Sequence, residues 1–239
     1  MKEDFHLFPP RKNMQRRSTT EKLAISSDGK LITVPELQRN RIIYGTDFLP
    51  LLGERLSFFI AGPPGCGKST TAADLLELKP LKNIYLFSDV SQDRAFEGVP
   101  VKRVIMKKEI LESLTPEDLT EEGDCWAIFD DIDKIRDPTI SRLTIRLLDN
   151  IVANGRSHGG ATINVIVTSH ALNDYRNTKY SLENCDYWII YPSKTIKMQI
   201  ERLLKKLGLE KEKVYDEDRL IIHHSVPQFI IGGSAIRLV

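Results

Sequence analysis

The run Gly62-Pro63-Pro64-Gly65-Cys66-Gly67-Lys68-Ser69 constrains this chain more than any other feature. A short apolar stretch, Leu56 to Ala61, precedes it. A helix-like stretch over residues 68–78 follows, carrying Ala73, Leu75, Leu76 and Leu78, and Pro80 stops it. The pattern G-x-x-x-x-G-K-[ST] between a strand and a helix is the arrangement in which a backbone wraps a polyphosphate. Glycines let successive N–H groups point at phosphate oxygens, and the helix start adds unsatisfied N–H groups and its positive dipole end. Gly62, Pro63, Pro64, Gly65, Cys66, Gly67, Lys68, Ser69 and Thr70 are therefore expected to hold ATP. Lys68 would supply a point charge to the β and γ phosphates, the Ser69 hydroxyl would ligate Mg²⁺, and Thr70 would meet the α-phosphate. Cys66 lies inside the loop. A helix start can lower a thiol pKa, but a bystander thiol is the simpler reading.

The apolar runs that follow set the fold class. They are Asn83 to Phe87, Lys102 to Met106, Cys125 to Phe129, Ile163 to Val167 and Tyr187 to Tyr191. They are continuous rather than alternating, and helix-like stretches separate several of them. Residues 138–153 place Ile140, Leu143, Leu147, Leu148, Ile151 and Val152 at helical spacing, with Asp137 as N-cap, Pro138 at the first helical position and Gly155 beyond the end. Residues 194–207 repeat the pattern with Ile196, Ile200, Leu203, Leu204 and Leu207. Continuous apolar strands alternating with helices predict an α/β fold, a mostly parallel sheet covered on both faces. Ligands then bind at the C-terminal strand ends. Arg219 to Ile231 reads as a short C-terminal β-hairpin. Residues 1–22, with Pro9-Pro10, Arg11, Lys12, Arg16 and Arg17, read as a flexible basic arm ahead of a single ATPase domain over residues 23–239, whose core spans about 55–192.

Cys125 to Phe129 runs directly into Asp130-Asp131. An apolar strand ending in two acids is the Walker B pattern, and adjacent carboxylates at a buried strand end are costly unless a cation compensates. Mg²⁺ and Lys68 would provide that cation. Asp130 would hold the metal, and Asp131 would orient or deprotonate an attacking water. A water-activating carboxylate suits an NTPase better than a phosphoryl kinase. The strand Asn164 to Val167 ends in Thr168-Ser169-His170. A polar side chain here, His170 among them, can sit between the two Walker strands and contact the γ-phosphate or the lytic water, or Thr168 and Ser169 can simply cap the next segment with His170 solvated. Arg156, in the glycine-flanked stretch Asn154 to Gly160, and Arg176 are each either a catalytic arginine donated to a neighbouring subunit or a surface arginine.

Composition narrows the class without naming a partner. The 239 residues carry 34 Lys plus Arg against 33 Asp plus Glu, a net charge of +1, so whole-chain charge argues for neither nucleic acid nor membrane. Three cysteines with no C-x-x-C pair point to a reducing compartment. No apolar run approaches the roughly 20 residues of a membrane span. An intracellular, soluble protein without a membrane partner is the expectation.

Taken in order, GPPGCGKS, then IFDD, then NGRSHGG at the next helix exit, then a strand with a polar end and Arg176-Asn177 resemble the FtsK–HerA superfamily of P-loop ATPases. Within it they are most similar to the DNA-packaging ATPases of large DNA viruses and virophages. The resemblance covers about residues 55–192. It implies a three-layer P-loop NTPase with an additional strand between the two Walker strands. It also implies a homo-oligomeric ring, hexamer or pentamer, threading double-stranded DNA without sequence preference into a capsid, in the host cytoplasm or viral factory and transiently on the virion. Capsid proteins become possible partners, and Arg156 maps onto the family's Gly-Arg motif. The family usually has glutamine at the sensor strand end, where this chain offers His170. The alternatives are an AAA+-like ATPase, which needs a helical lid where only 47 residues follow Pro192, and a nucleotide or nucleoside kinase, which needs an acceptor pocket and lid. Two basic clusters, Lys102, Arg103, Lys107 and Lys108, and Lys194, Lys197, Arg202, Lys205 and Lys206, could meet phosphates along a channel. For the second, a solvated helix face is the simpler reading.

Overall fold

The computed structural model describes residues 54–90, 93–154, 160–172 and 184–207, Arg219, and the backbone of the short strands at 24–25, 31–32, 43–44, 220–223, 226–232 and 235–238. In chain order the strands are β1 (Ala24–Ile25), β2 (Leu31–Ile32), β3 (Ile43–Tyr44), β4 (Ser57–Ala61), β5 (Asn83–Phe87), β6 (Lys102–Val104), β7 (Cys125–Phe129), β8 (Ile163–Ser169), β9 (Tyr187–Ile190), β10 (Leu220–His223), β11 (Val226–Gly232) and β12 (Ala235–Leu238). The helices are α1 (Lys68–Leu75), α2 (Lys108–Ser113), α3 (Pro116–Thr120), α4 (Pro138–Asn154) and α5 (Lys197–Leu207). The chain divides into two compact units, one of Arg55–Asp186 and one of Met1–Glu54 with Tyr187–Val239. The basic arm expected at residues 1–22 lies outside the described residues.

In the unit Arg55–Asp186 the strands run β4-β8-β7-β5-β6, every neighbouring pair parallel. β8 therefore separates β4, which feeds the phosphate loop, from β7, which carries the two acids. This is the additional-strand arrangement of a P-loop NTPase. Every residue of β4, β7 and β8 is buried, as continuous apolar strands between two helical layers must be. Phe87 and Phe129 stack at the C-terminal ends of β5 and β7 with ring centroids 4.5 Å apart.

Two polar side chains hold this sheet in register. Asn164, fully buried, accepts from the Leu56 N–H at 3.0 Å and donates to the Cys125 carbonyl at 3.1 Å, bridging from the start of β8 to both flanking strands. Arg55 donates to the carbonyls of Ile151, Val152 and Ile163, each at 3.1 Å. Two of those carbonyls belong to the last turn of α4, where helical carbonyls lack intrahelical partners. At the other end of α4 the Asp137 carboxylate accepts from the N–H groups of Thr139 and Ile140 at 2.7 and 3.2 Å. The apolar face expected for this helix is buried in full, from Ile140 to Val152.

The differences from expectation have local causes. α1 stops at Leu75 and tightens into a 3-10 turn over Leu76–Leu78, because Pro80 lies ahead. β8 continues two residues past Val167, which brings Thr168 and Ser169 into the strand. The helices α2 and α3 carry no long apolar periodicity. α3 is instead set by Thr115, whose side chain and backbone exchange capping bonds with Asp118, and by Pro116 at the first helical position.

In the other unit, β9, β10, β11, β12 and β3 pair successively and antiparallel, and β1 pairs β2 antiparallel. The expected C-terminal hairpin is β10–β11, with an irregularity in register between Ile222 and His223. The described residues from Tyr187 onward hold four strands and one helix, α5, rather than the helical lid an AAA+ ATPase needs. Among the described residues, no helix is long and apolar enough to cross a membrane.

Candidate active site

The phosphate loop leaves β4 at Ala61, and the Gly62 N–H donates to the Ser169 carbonyl at 3.1 Å, tying the loop entry to the end of β8. Gly65 and Gly67 sit at φ +74° and +103°, backbone angles that a side chain resists. A Cβ built on either would meet nothing within 4 Å, so glycine is required there by the backbone angle and not by crowding. Pro64 and Gly65 are exposed, and the Cys66 N–H closes the turn on the Pro63 carbonyl at 3.3 Å. Lys68 opens α1 and is only 6% exposed. Ser69 beside it is half-buried, and Thr70 is exposed. Burial pushes the Cys66 thiol up, and the nearby Lys68 charge only partly offsets this. The loop thus holds a thiol rather than an activated thiolate, in keeping with a bystander.

β7 delivers the acids. Asp130 is 4% exposed, and burial raises its carboxyl from 3.8 to about 6, with the neighbouring Asp131 and Asp93 adding to the rise and the hydroxyls of Thr168 and Ser88 opposing it. Asp131 adopts the left-handed conformation, φ 48°, alone among the described non-glycine residues. Aspartate tolerates this region better than most side chains, and here it turns the Asp131 carboxylate toward the loop. Its Oδ1 lies 3.6 Å from the Lys68 ammonium. A buried ammonium after the glycine loop and two crowded carboxylates match what a nucleoside triphosphate with its Mg²⁺ requires: a cation for the phosphates and anions for the metal. Ser69, half-buried in the first turn of α1, and Asp130, buried at the end of β7, are the residues expected to hold that metal.

Between these elements stands the end of β8. The Thr168 hydroxyl donates to Asp130 Oδ1 at 2.8 Å, accepts from the Asp131 N–H at 2.7 Å, and has Asp131 Oδ1 at 3.2 Å. Ser88, at the end of β5, donates to Asp130 Oδ2 at 3.3 Å. Ser169 turns inward to its own loop, accepting from the Ala171 N–H. His170 is brought to the acids: its N–H donates to Asp133 Oδ1 at 3.0 Å, and its Nδ1 lies 3.5 Å from Asp131 Oδ1 and 3.7 Å from Asp133 Oδ1.

The structure thus gathers Lys68, Asp130, Asp131 and His170 at one sheet edge beside Ser69 and the loop. Arg156 and Arg176 lie outside the described residues. Ser88 and Asp133 were not singled out in the sequence, and Thr168, expected as a polar side chain between the Walker strands, bridges the two acids. The signal for Thr168 was in the strand register. Val167 pairs with Phe129, so the next residue of β8 falls beside Asp130. Three members of the first basic cluster are engaged by neighbouring groups. Lys102 donates to Glu122 at 2.8 Å and to Asn83 at 3.1 Å, Arg103 donates to the Val90 carbonyl, and Lys108 pairs with Glu112. Lys107 is exposed, as are Lys194, Lys197, Arg202 and Lys205, whereas the Lys206 side chain lies outside the described residues.

No family model matches this chain, and no curated protein matches it in sequence. Similar solved structures include the genome-packaging NTPase B204 of Sulfolobus turreted icosahedral virus 2 in complex with AMPPCP, at 14% identity and a TM-score of 0.47 over 78% of this chain and 98% of that one. B204 of Sulfolobus turreted icosahedral virus, a DNA-packaging ATPase, gives 13% identity and a TM-score of 0.44 over 76% and 95%. The conjugation coupling protein TcpA of pCW3, with ATPγS, gives 13% and 0.46 over 77% of this chain and 61% of that one. At this distance the fold assignment rests on the strand order itself.

Proposed function

We propose that this chain is an Mg²⁺-dependent ATP hydrolase. One observation carries the reading: a buried lysine at the start of α1, after the glycine loop, lies 3.6 Å from Asp131 at the end of β7, and Thr168 bonds both Asp131 and the adjacent Asp130. Mg²⁺ held by Ser69 and Asp130 would neutralise charge on the β and γ phosphates. Lys68 holds the phosphate oxygens and matches the charge they gather in the transition state. Asp131, turned toward the loop and 26% exposed, orients a water and takes up its proton. Thr168 holds both carboxylates in place so that neither must reorganise during the reaction. His170, beside Asp131, acts as the sensor, and Arg156 or Arg176 supplies the arginine in trans.

The finer reading rests on the order of motifs. We propose that the hydrolase works as a homo-oligomeric ring, hexamer or pentamer, moving double-stranded DNA without sequence preference. Its role is packaging a viral genome into a capsid, with capsid proteins as partners and the host cytoplasm or viral factory as its place of action. The test is an ATPase assay with and without double-stranded DNA on size-fractionated protein. Stimulation confined to a ring-sized species is the expected result. Hydrolysis by monomer, indifferent to DNA, removes the motor. ADP formed only with an added nucleoside or nucleotide acceptor replaces the hydrolase with a kinase.

A further inference from the structure

We propose that Asp131, Asp133 and His170 form a second cation site, one for a transition-metal ion such as Zn²⁺ or Co²⁺ rather than Mg²⁺. One atom from each residue lies within 4.8 Å of the others. The His170 Nδ1 is buried without a hydrogen-bond partner, although it stands 3.5 Å from Asp131 Oδ1 and 3.7 Å from Asp133 Oδ1. Those separations are too long for hydrogen bonds and close to what a shared ion imposes. Ligands about 2.1 Å from one ion at tetrahedral angles stand about 3.4 Å apart.

The donors are also held in place before any ion arrives. Asp133 is 5% exposed, sits on the 3-10 turn Ile132–Lys134, and has its Oδ1 held by the His170 N–H at 3.0 Å. Asp131 is held by its own N–H on Thr168. Two carboxylates and one imidazole suit a borderline ion, whereas Mg²⁺ favours an octahedral shell of oxygens. Three protein ligands leave a fourth position for water.

The site has a built-in competitor. Asp131 Oδ1 is the same atom that faces the Lys68 ammonium at 3.6 Å and lies 3.2 Å from the Thr168 hydroxyl. A divalent ion flanked by two carboxylates outcompetes a single ammonium for that oxygen, so occupancy takes Asp131 away from Lys68 and from any attacking water. The ion would act as an inhibitor of the hydrolysis proposed above. That consequence rests on the hydrolase reading, but the binding itself does not.

Binding is therefore tested without nucleotide. Full-length, nucleotide-free protein is titrated with Co²⁺ and followed by its visible d–d absorption, and with Zn²⁺ by calorimetry. Wild type should bind one ion with a tetrahedral cobalt spectrum. His170→Ala and Asp133→Asn should each weaken binding at least about tenfold, since even partners outside the direct ligand shell are worth 10–100-fold. Asp133→Asn keeps an oxygen for the His170 N–H, and circular dichroism checks that both variants fold. Affinity unchanged in either folded variant overturns the site, as does the absence of saturable binding in wild type. A thiolate-to-cobalt charge-transfer band, which would place the ion on a cysteine, overturns it too. If cobalt binds but Mg²⁺-ATP turnover is absent in metal-free protein, the hydrolase reading fails and the metal site stands.

Discussion

Burial makes the charged form of Asp130 costly to the folded state. Its carboxyl is raised from 3.8 to about 6 by burial, a shift of roughly two units. A raised carboxylate means that the folded state holds its proton more tightly than the unfolded chain does. Stability therefore falls as pH climbs from about 4 to about 6, and above that range the whole penalty is present. At about 1.36 kcal/mol per unit this amounts to roughly 3 kcal/mol at pH 8 and about half that near pH 5. Asp130→Asn removes the charge and keeps an oxygen for the Thr168 hydroxyl. The variant should thus be more stable than wild type in EDTA at pH 8, by up to about 3 kcal/mol, or about 6–12 °C in Tm for a chain of this size. The gain should shrink by half near pH 5. With saturating Mg²⁺-ATP the order should reverse, because only wild type binds the metal through that carboxylate and draws linkage stabilisation from it. Differential scanning calorimetry at the two pH values, with EDTA and then with Mg²⁺-ATP, reads all three outcomes. Equal stability at pH 8 in EDTA, or a gain indifferent to pH, would refute the claim that this group is a buried, uncompensated anion.

The other substitutions separate binding from chemistry. Lys68→Ala should abolish hydrolysis and weaken ATP binding by an order of magnitude or more, read by calorimetry and phosphate release; unchanged turnover removes the phosphate-loop assignment. Asp131→Asn should retain ATP binding yet lower turnover by at least about 100-fold, the scale of a lost general base; loss of binding instead moves Asp131 to a metal role. Thr168→Val leaves the Asp130 carboxylate and the Asp131 N–H each short of a partner, and should cost about 1–3 kcal/mol in urea denaturation. If Arg156 acts in trans, Arg156→Ala protein mixed with Asp131→Asn protein should regain partial ATPase activity, because some interfaces then carry both intact groups; no rescue at any ratio rules this out.

The site was more legible in the sequence than its wiring. The phosphate loop and the double aspartate are contiguous motifs, so spacing alone could place Lys68 at a helix start and Asp130-Asp131 at a strand end. Continuous apolar runs likewise revealed the parallel strands, and both Asn83–Phe87 and Cys125–Phe129 begin and end where the runs do. What a single sequence does not reveal is pairing between strands distant in the chain. Thr168 becomes a bridge only because β8 lies against β7 in one register, and Asn164 ties three strands only because that register holds. Asp133 carries no motif of its own; its place beside His170 depends on the 3-10 turn Ile132–Lys134, where its carboxylate accepts from the His170 backbone N–H. The short helices α2 and α3 escaped because pattern reading favours long apolar stripes, whereas Thr115-Pro116-Glu117-Asp118 states its helix start in capping chemistry alone.

The link from the Gly62 amide to the Ser169 carbonyl belongs to main-chain atoms at both ends. Scanning the side chains of either segment would therefore leave it intact and give no sign of it. Proline at position 62, which has no hydrogen to offer, is the one natural residue that severs the latch. A movement of the loop entry that keeps this bond carries the end of β8, next to His170, with it.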